Sequence, residues 1–256
     1  MLKRLIGNPQ VPIIGGLVGI TALSWWYMFY LAADMSMSMQ MMAESMAGMS
    51  GMDMPWTFTD FTANLLMWAV MMVAMMVPSA APAILLYARL QQDKQGNTKT
   101  RPVALFLGGY LAAWSLFSLG ATVAQWGLHE GALLSGAMAI DHRWLAAAVL
   151  LITGLYQWTP LKQACLKHCQ SPLGFLLGFW RDDSLGIVRM GWRHGLFCVG
   201  CCWLLMAILF TVGVMNLIWV ALIAVYVLLE KVVPNGQRFA RISGVLLCGS
   251  AVVVAL

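Results

Sequence analysis

The chain has 256 residues, of which 61% are hydrophobic and only 10% charged; soluble domains carry about a quarter charged residues, so a soluble globular fold is excluded. The expected fold class is all-α, a polytopic bundle of transmembrane helices. The net charge of +5 follows from where basic residues flank the apolar runs, so the partner it points to is the lipid bilayer and not nucleic acid.

Apolar runs near 11–33, 58–87, 103–127, 143–160, 195–214 and 217–233 each have the length of a bilayer crossing. A shorter run at 242–256 brings the count to six or seven spans. With the N-terminus cytoplasmic, Lys3, Arg4, Arg89, Lys94, Lys99, Arg101, Lys162, Lys167, Arg181, Arg189, Arg193, Lys231, Arg238 and Arg241 all lie on the inner side and Arg143 on the outer, which is the bias of positive-inside insertion. No small-residue cleavage pattern follows the first run, which therefore reads as a retained span. Three parts are expected: a first transmembrane helix at 1–33, a methionine-rich outer loop at 34–57, and a helical membrane domain at 58–256 with a cysteine-rich inner metal site.

Between Asp34 and Pro55 stand nine methionines. Met35, Met37, Met39 and Met41 alternate with polar residues, an arrangement that shares one face in an extended chain, and Met42 follows directly. Gly48 and Gly51 weigh against a rigid helix there. Thioethers stay available as soft ligands where thiols would oxidise, so the segment reads as a Cu(I) collector, with Ag(I) an equal chemical fit. The plainer reading is a flexible linker that scavenges oxidants.

In the second span Met67, Met71 and Met75 step by four, with Met72 and Met76 beside them. A ladder of thioethers one turn apart suits handover of a soft cation; the alternative is a helix that uses methionine for packing. Pro78 and Pro82 are expected to kink or unwind it. The third span, rich in Gly, Ala and Ser, is expected to make close helix contacts. In the fourth, Pro160 should kink the helix, beyond which Cys165, His168 and Cys169 stand at i, i+3 and i+4 until Pro172 ends it. The segment 174–192 reads as amphipathic or re-entrant.

The fifth span carries His194, Cys198, Cys201, Cys202 and Met206 on one stripe. Imidazole, thiol and thioether are the ligand types that soft metals select. Lys162 and Lys167 are expected to hold nearby thiolates in their charged form. Cys248 reads as a packing residue, and Glu230 with Lys231 as an interfacial anchor.

Trp68, Met71, Met75, Pro78, Pro82 and Tyr87, the run Tyr156, Gln157, Thr159, Pro160, Lys162, Cys165 and Cys169, and the group Cys198, Gly200, Cys201, Cys202, Trp203, Glu230 and Lys231 together resemble the bacterial family DUF2182, described as predicted metal-binding integral membrane proteins. The resemblance spans about Asn64 to Lys231. It implies metal binding in a helical domain of the bacterial cytoplasmic membrane, and the methionine segment lies outside it.

The leading functional expectation is a Cu(I)-handling protein, with silver or zinc as alternative ions. Copper would be captured by the outer methionines, relayed along the second span and received by the inner cysteines. A copper chaperone or a membrane cuproenzyme is the expected partner, and a homo-oligomer is also open. No ATP-binding motif and no nucleophile with its base appears, which favours binding and transfer over enzymatic chemistry. Two rivals stay open: a membrane thiol–disulfide oxidoreductase using Cys198 and Cys201, and a structural subunit of a membrane complex.

Overall fold

The computed structural model describes residues 10–45, 57–93, 98–131, 133 and 139–256. Among them the chain is an all-α bundle: α1 Val11–Ser45, α2 Phe58–Leu90, α3 Thr100–Glu130, α4 Arg143–Tyr156, α5 Pro160–Gln170, α6 Pro172–Phe179, α7 Ser184–Ala207, α8 Leu209–Val212, α9 Leu217–Val232 and α10 Gly236–Ala255. Among the described residues five segments are long and apolar enough to cross a membrane: 11–34, 58–90, 100–130, 184–212 and 236–255. They become six if the bent pair α4 and α5 forms one span. The run predicted as a span at 217–233 is the 16-residue α9, about 24 Å long at 1.5 Å per residue and shorter than a typical hydrocarbon core.

Several expectations change in detail. Helix α1 continues to Ser45, so Met35 to Met42 lie on helical backbone and the two-residue alternation of an extended loop does not apply. Met46, Met49, Met52 and Met54 fall outside the described residues. Helix α2 runs through Pro78 and Pro82 without a break. Proline at 78 leaves the Ala74 carbonyl without its helical donor, and the Trp25 indole Nε1 of α1 donates to that carbonyl at 3.2 Å. The N-terminus of α2 is fixed by a capping box, in which Thr57 N donates to Asp60 Oδ2 at 2.9 Å and Asp60 N donates to Thr57 Oγ1 at 3.3 Å.

Pro160 breaks the fourth run outright. Helices α4 and α5 meet at 64°, with Pro160 at the first position of α5 and Thr159 Oγ1 accepting from Lys162 N as its cap. Pro172 likewise opens the short helix α6. The segment read as re-entrant divides into α6 and the first turns of α7, which begins at Ser184 behind its cap Asp183.

The closest packing joins α3 to α7. A Cβ on Gly109 would run into the backbone of Val188 and Trp192, and one on Gly191 into the Phe106 carbonyl. On Gly195 it would stand 2.6 Å from Ala113 Cβ and 2.9 Å from the Tyr110 carbonyl. The small residues of the third span thus act as expected, letting two backbones approach and bringing Tyr110 beside the following turn of α7. Gly213, at φ 92°, turns the chain between α8 and α9. Cys248 Sγ packs at Gly154, where α10 lies on α4, in line with a packing role.

Candidate functional site

Helix α7 carries Cys198, Cys201 and Cys202 into the bundle core, with 1%, 0% and 0% of their surface exposed. Their i, i+3, i+4 spacing sets them on one face. Both Cys201 Sγ and Cys202 Sγ donate to the Cys198 carbonyl, at 3.1 and 3.0 Å, the back-bonding that short polar side chains make to the preceding turn of a helix. Cys198 Sγ meets polar groups from two other helices. The Lys231 ammonium of α9 donates to it at 2.9 Å, and the Tyr110 hydroxyl of α3 lies 3.1 Å away while donating to the Met76 carbonyl at 3.0 Å. Lys231 also donates to Ser79 Oγ at 2.9 Å, which ties α9 to the proline-bearing turn of α2.

A fourth thiol joins from α5. Cys169 stands near the thiols of Cys198 and Cys201 and lines one cavity with His194 and Lys231. The three-residue stripe of α5 does not arrive intact. Cys165 Sγ lies over Gly200, 2.8 Å from where a Cβ would stand, so the glycine in the Cys198–Cys201 turn of α7 is what admits it. His168 turns aside: its ring stacks on Phe197 at 4.2 Å and 2°, and its Nδ1 is 2.8 Å from the Ala164 carbonyl. Cys169 rather than His168 thus faces the α7 thiols.

His194, one turn before Cys198, is 3% exposed and ringed by Phe106, Tyr110 and Phe175. Its Nδ1 has no hydrogen-bond partner, an uncommon condition for a buried imidazole nitrogen. A cavity of about 170 Å³ lies against His194, Cys169, Lys231 and Ser79. Met206, one turn past Cys202, is fully buried. On α2, Met67, Met71, Met72, Met75 and Met76 are all at most 3% exposed, and Met28 of α1, which the sequence gave no reason to single out, is also fully enclosed. Among the described residues no set of three His, Cys, Asp or Glu side chains is arranged to hold a metal ion.

The charges read as an interfacial anchor are inside the bundle. Glu230 is 0% and Lys231 7% exposed. Glu230 pairs with Lys162 Nζ at 2.8 Å, within reach of the Tyr226 hydroxyl at 3.4 Å. The Glu230 carbonyl accepts from Gln170 Nε2 at 2.8 Å. Lys162 is therefore committed to Glu230 and Lys167 is exposed; the cation beside the thiols is Lys231. Sequence reasoning missed Lys231, Tyr110 and Ser79 as site residues, although a lysine and a glutamate inside an apolar helix are a signal of internal pairing.

These features define the class: an all-α protein of membrane-type helices whose buried chemistry is sulfur, with one amine and one imidazole beside it. The PpoB2 family of copper chaperones matches residues 65–254, and the chain belongs to that family. The matched region takes in the residues that resemble DUF2182; what the match supports is the copper chaperone description and not that designation. No curated protein and no solved structure matches the chain.

Proposed function

We propose that the protein is a copper chaperone of the bacterial cytoplasmic membrane that holds Cu(I) between α5 and α7 and passes it to a membrane cuproenzyme. Cys169 and Cys198 are the principal ligands, both as thiolates, with Cys201, Cys202, His194 and Met206 next to them and Cys165 behind Gly200. The methionines of α2 are the relay, and Met35, Met37, Met39, Met41 and Met42, on the outer side of an N-terminus-inside topology, are the collector. His168 is dropped from the ligand set because its ring is held by Phe197.

The observation that carries the reading is one cavity lined by Cys169, His194 and Lys231, with Lys231 held on the Cys198 thiol and the His194 Nδ1 unpartnered. Cys201 and Cys202 stay on the Cys198 carbonyl as neutral thiols, and on copper binding Cys169 and Cys198 each give up a proton. Charge favours a monovalent ion. Two thiolates, one Cu(I) and the Lys231 ammonium sum to neutrality in a largely buried site, whereas a divalent ion would leave a net charge there.

The test is copper content after Cu(I) loading of protein purified in mild detergent under reducing conditions. Wild type is expected to retain about one tightly held ion per chain, and a Cys169→Ser/Cys198→Ser variant to lose it. Removing residues 35–54 is expected to slow loading but leave the final content unchanged. Full retention by the double cysteine variant would overturn the assignment.

A further inference from the structure

Beside the start of α7 lies a cleft of about 490 Å³ whose rim carries Arg181, Arg189 and Arg193. All three side chains are exposed, and among the described residues none is ion-paired. Two carboxylates stand nearby, each held by a neutral donor and neither on an arginine, which leaves the group net positive. Asp183, which lines the cleft, uses Oδ2 to accept from Gly186 N at 2.8 Å and cap α7, and Asp182 Oδ1 accepts from the Trp180 indole at 2.8 Å. The rest of the wall is aromatic and apolar: Phe179, Trp180 and Met190 line it, and the Arg193 guanidinium sits 4.4 Å over the Phe179 ring. Three unpaired guanidiniums above an aromatic floor, where a helix long enough to cross a membrane begins, make a surface with a phosphate-sized charge deficit and an apolar lower edge.

We infer that this cleft binds the phosphate of an anionic phospholipid headgroup, with the guanidinium forks on the phosphate oxygens and Phe179 and Trp180 at the glycerol level. The inference goes beyond copper handling and rests only on the membrane placement of α7. Arginine suits the role because its planar fork engages phosphate in two parallel hydrogen bonds, and basic clefts at the cytoplasmic ends of membrane helices are where such headgroups dock. An acidic protein would satisfy the same charges, but it would meet them on a broad flat face, whereas here they surround a concavity of headgroup size. The cleft also adjoins the sulfur site. Arg193 precedes His194 on α7, and Phe175 contacts both the Phe179 ring at 5.2 Å and the His194 ring at 5.0 Å. An ordered headgroup would therefore steady the wall of the cavity that holds His194.

The test compares phospholipid retained by the full chain after exchange into vesicles of phosphatidylglycerol and phosphatidylcholine in equal amounts, followed by detergent extraction and mass spectrometry. Wild type is expected to retain phosphatidylglycerol over phosphatidylcholine by about tenfold or more at low salt, on the order expected for three arginines near a surface. An Arg181→Gln/Arg189→Gln/Arg193→Gln variant is expected to show no preference. The three arginines replaced by lysine, which keep the charge without the fork, are expected to retain an intermediate preference and guard against loss of folding in the glutamine variant. Equal retention of the two lipids by wild type overturns the proposal. So does arginine-dependent binding of inorganic phosphate in detergent without lipid preference, which assigns the cleft to a free anion, or arginine-dependent capture of an acidic protein without lipid preference.

Discussion

Lys231 and Cys198 stand 2.9 Å apart in the core of the bundle, and the ammonium limits which ion can share that space. A second cation at about 4 Å from a fixed positive charge meets a repulsion on the order of 4 kcal/mol per unit charge at an effective dielectric near 20. A divalent ion meets twice that of a monovalent one. Lys231→Met is therefore expected to admit Zn²⁺ that wild type refuses, read as the zinc-to-copper ratio after loading with both metals; an unchanged ratio would show that Lys231 does not set the selectivity. The cysteine stripe of α7 was legible from spacing alone, because three thiols in five residues of an apolar helix can only share a face. The role of Lys231 was not. Its position at the end of an apolar run is also that of an anchor, and only the packing of α9 on α2 and α7 turns it inward. His168 and Cys169 differ by one position, and the stacking surface of Phe197, invisible from the α5 sequence, decides which of them faces the thiols.

At the scale of elements, the prolines of α2 were legible as sites of lost hydrogen bonds, but the remedy came from a different helix. The Trp25 indole nitrogen of α1 serves the Ala74 carbonyl. Trp25→Phe leaves that carbonyl unpaired in the bundle and is expected to cost about 1–3 kcal/mol. The measurement is the thermal midpoint in detergent beside Trp26→Phe, whose exposed ring should be neutral; equal midpoints would remove the role given to Trp25. The α3–α7 contact makes a sharper case. Gly195→Leu places a side chain where Ala113 and the Tyr110 backbone already stand, so the helices must part and Tyr110 leave Cys198. Overpacking of this kind costs typically 1–3 kcal/mol, and copper retention is expected to fall with the midpoint. The Lys162–Glu230 pair joins α5 to α9 in the same way. Glu230→Gln strands a buried ammonium and is expected to destabilise by about 3–5 kcal/mol, while Lys162→Met/Glu230→Leu recovers most of it. Failure of the double variant to recover would mean that the carboxylate has a task besides the pairing.

Over the whole molecule, the class of fold was the easiest property to read, since apolar length and the scarcity of charge leave few architectures open. Which residues meet was harder. The bend at Pro160 swings α5 across α7, so Cys169 approaches thiols some thirty positions later, and a bend angle of 64° has no counterpart in residue spacing. The continuation of α1 to Ser45 was obscured because serine, methionine and alanine in alternation carry no apolar stripe of helical period. Function was legible as ligand softness, and the family match raises that to copper. The single most direct measurement is X-ray absorption at the copper edge of the loaded chain. The account predicts Cu(I) with a coordination shell dominated by sulfur, which Cys169→Ser/Cys198→Ser abolishes and Cys248→Ser leaves intact. A spectrum of Cu(II) in nitrogen and oxygen ligation, or a sulfur shell unaltered in the double variant, would contradict it.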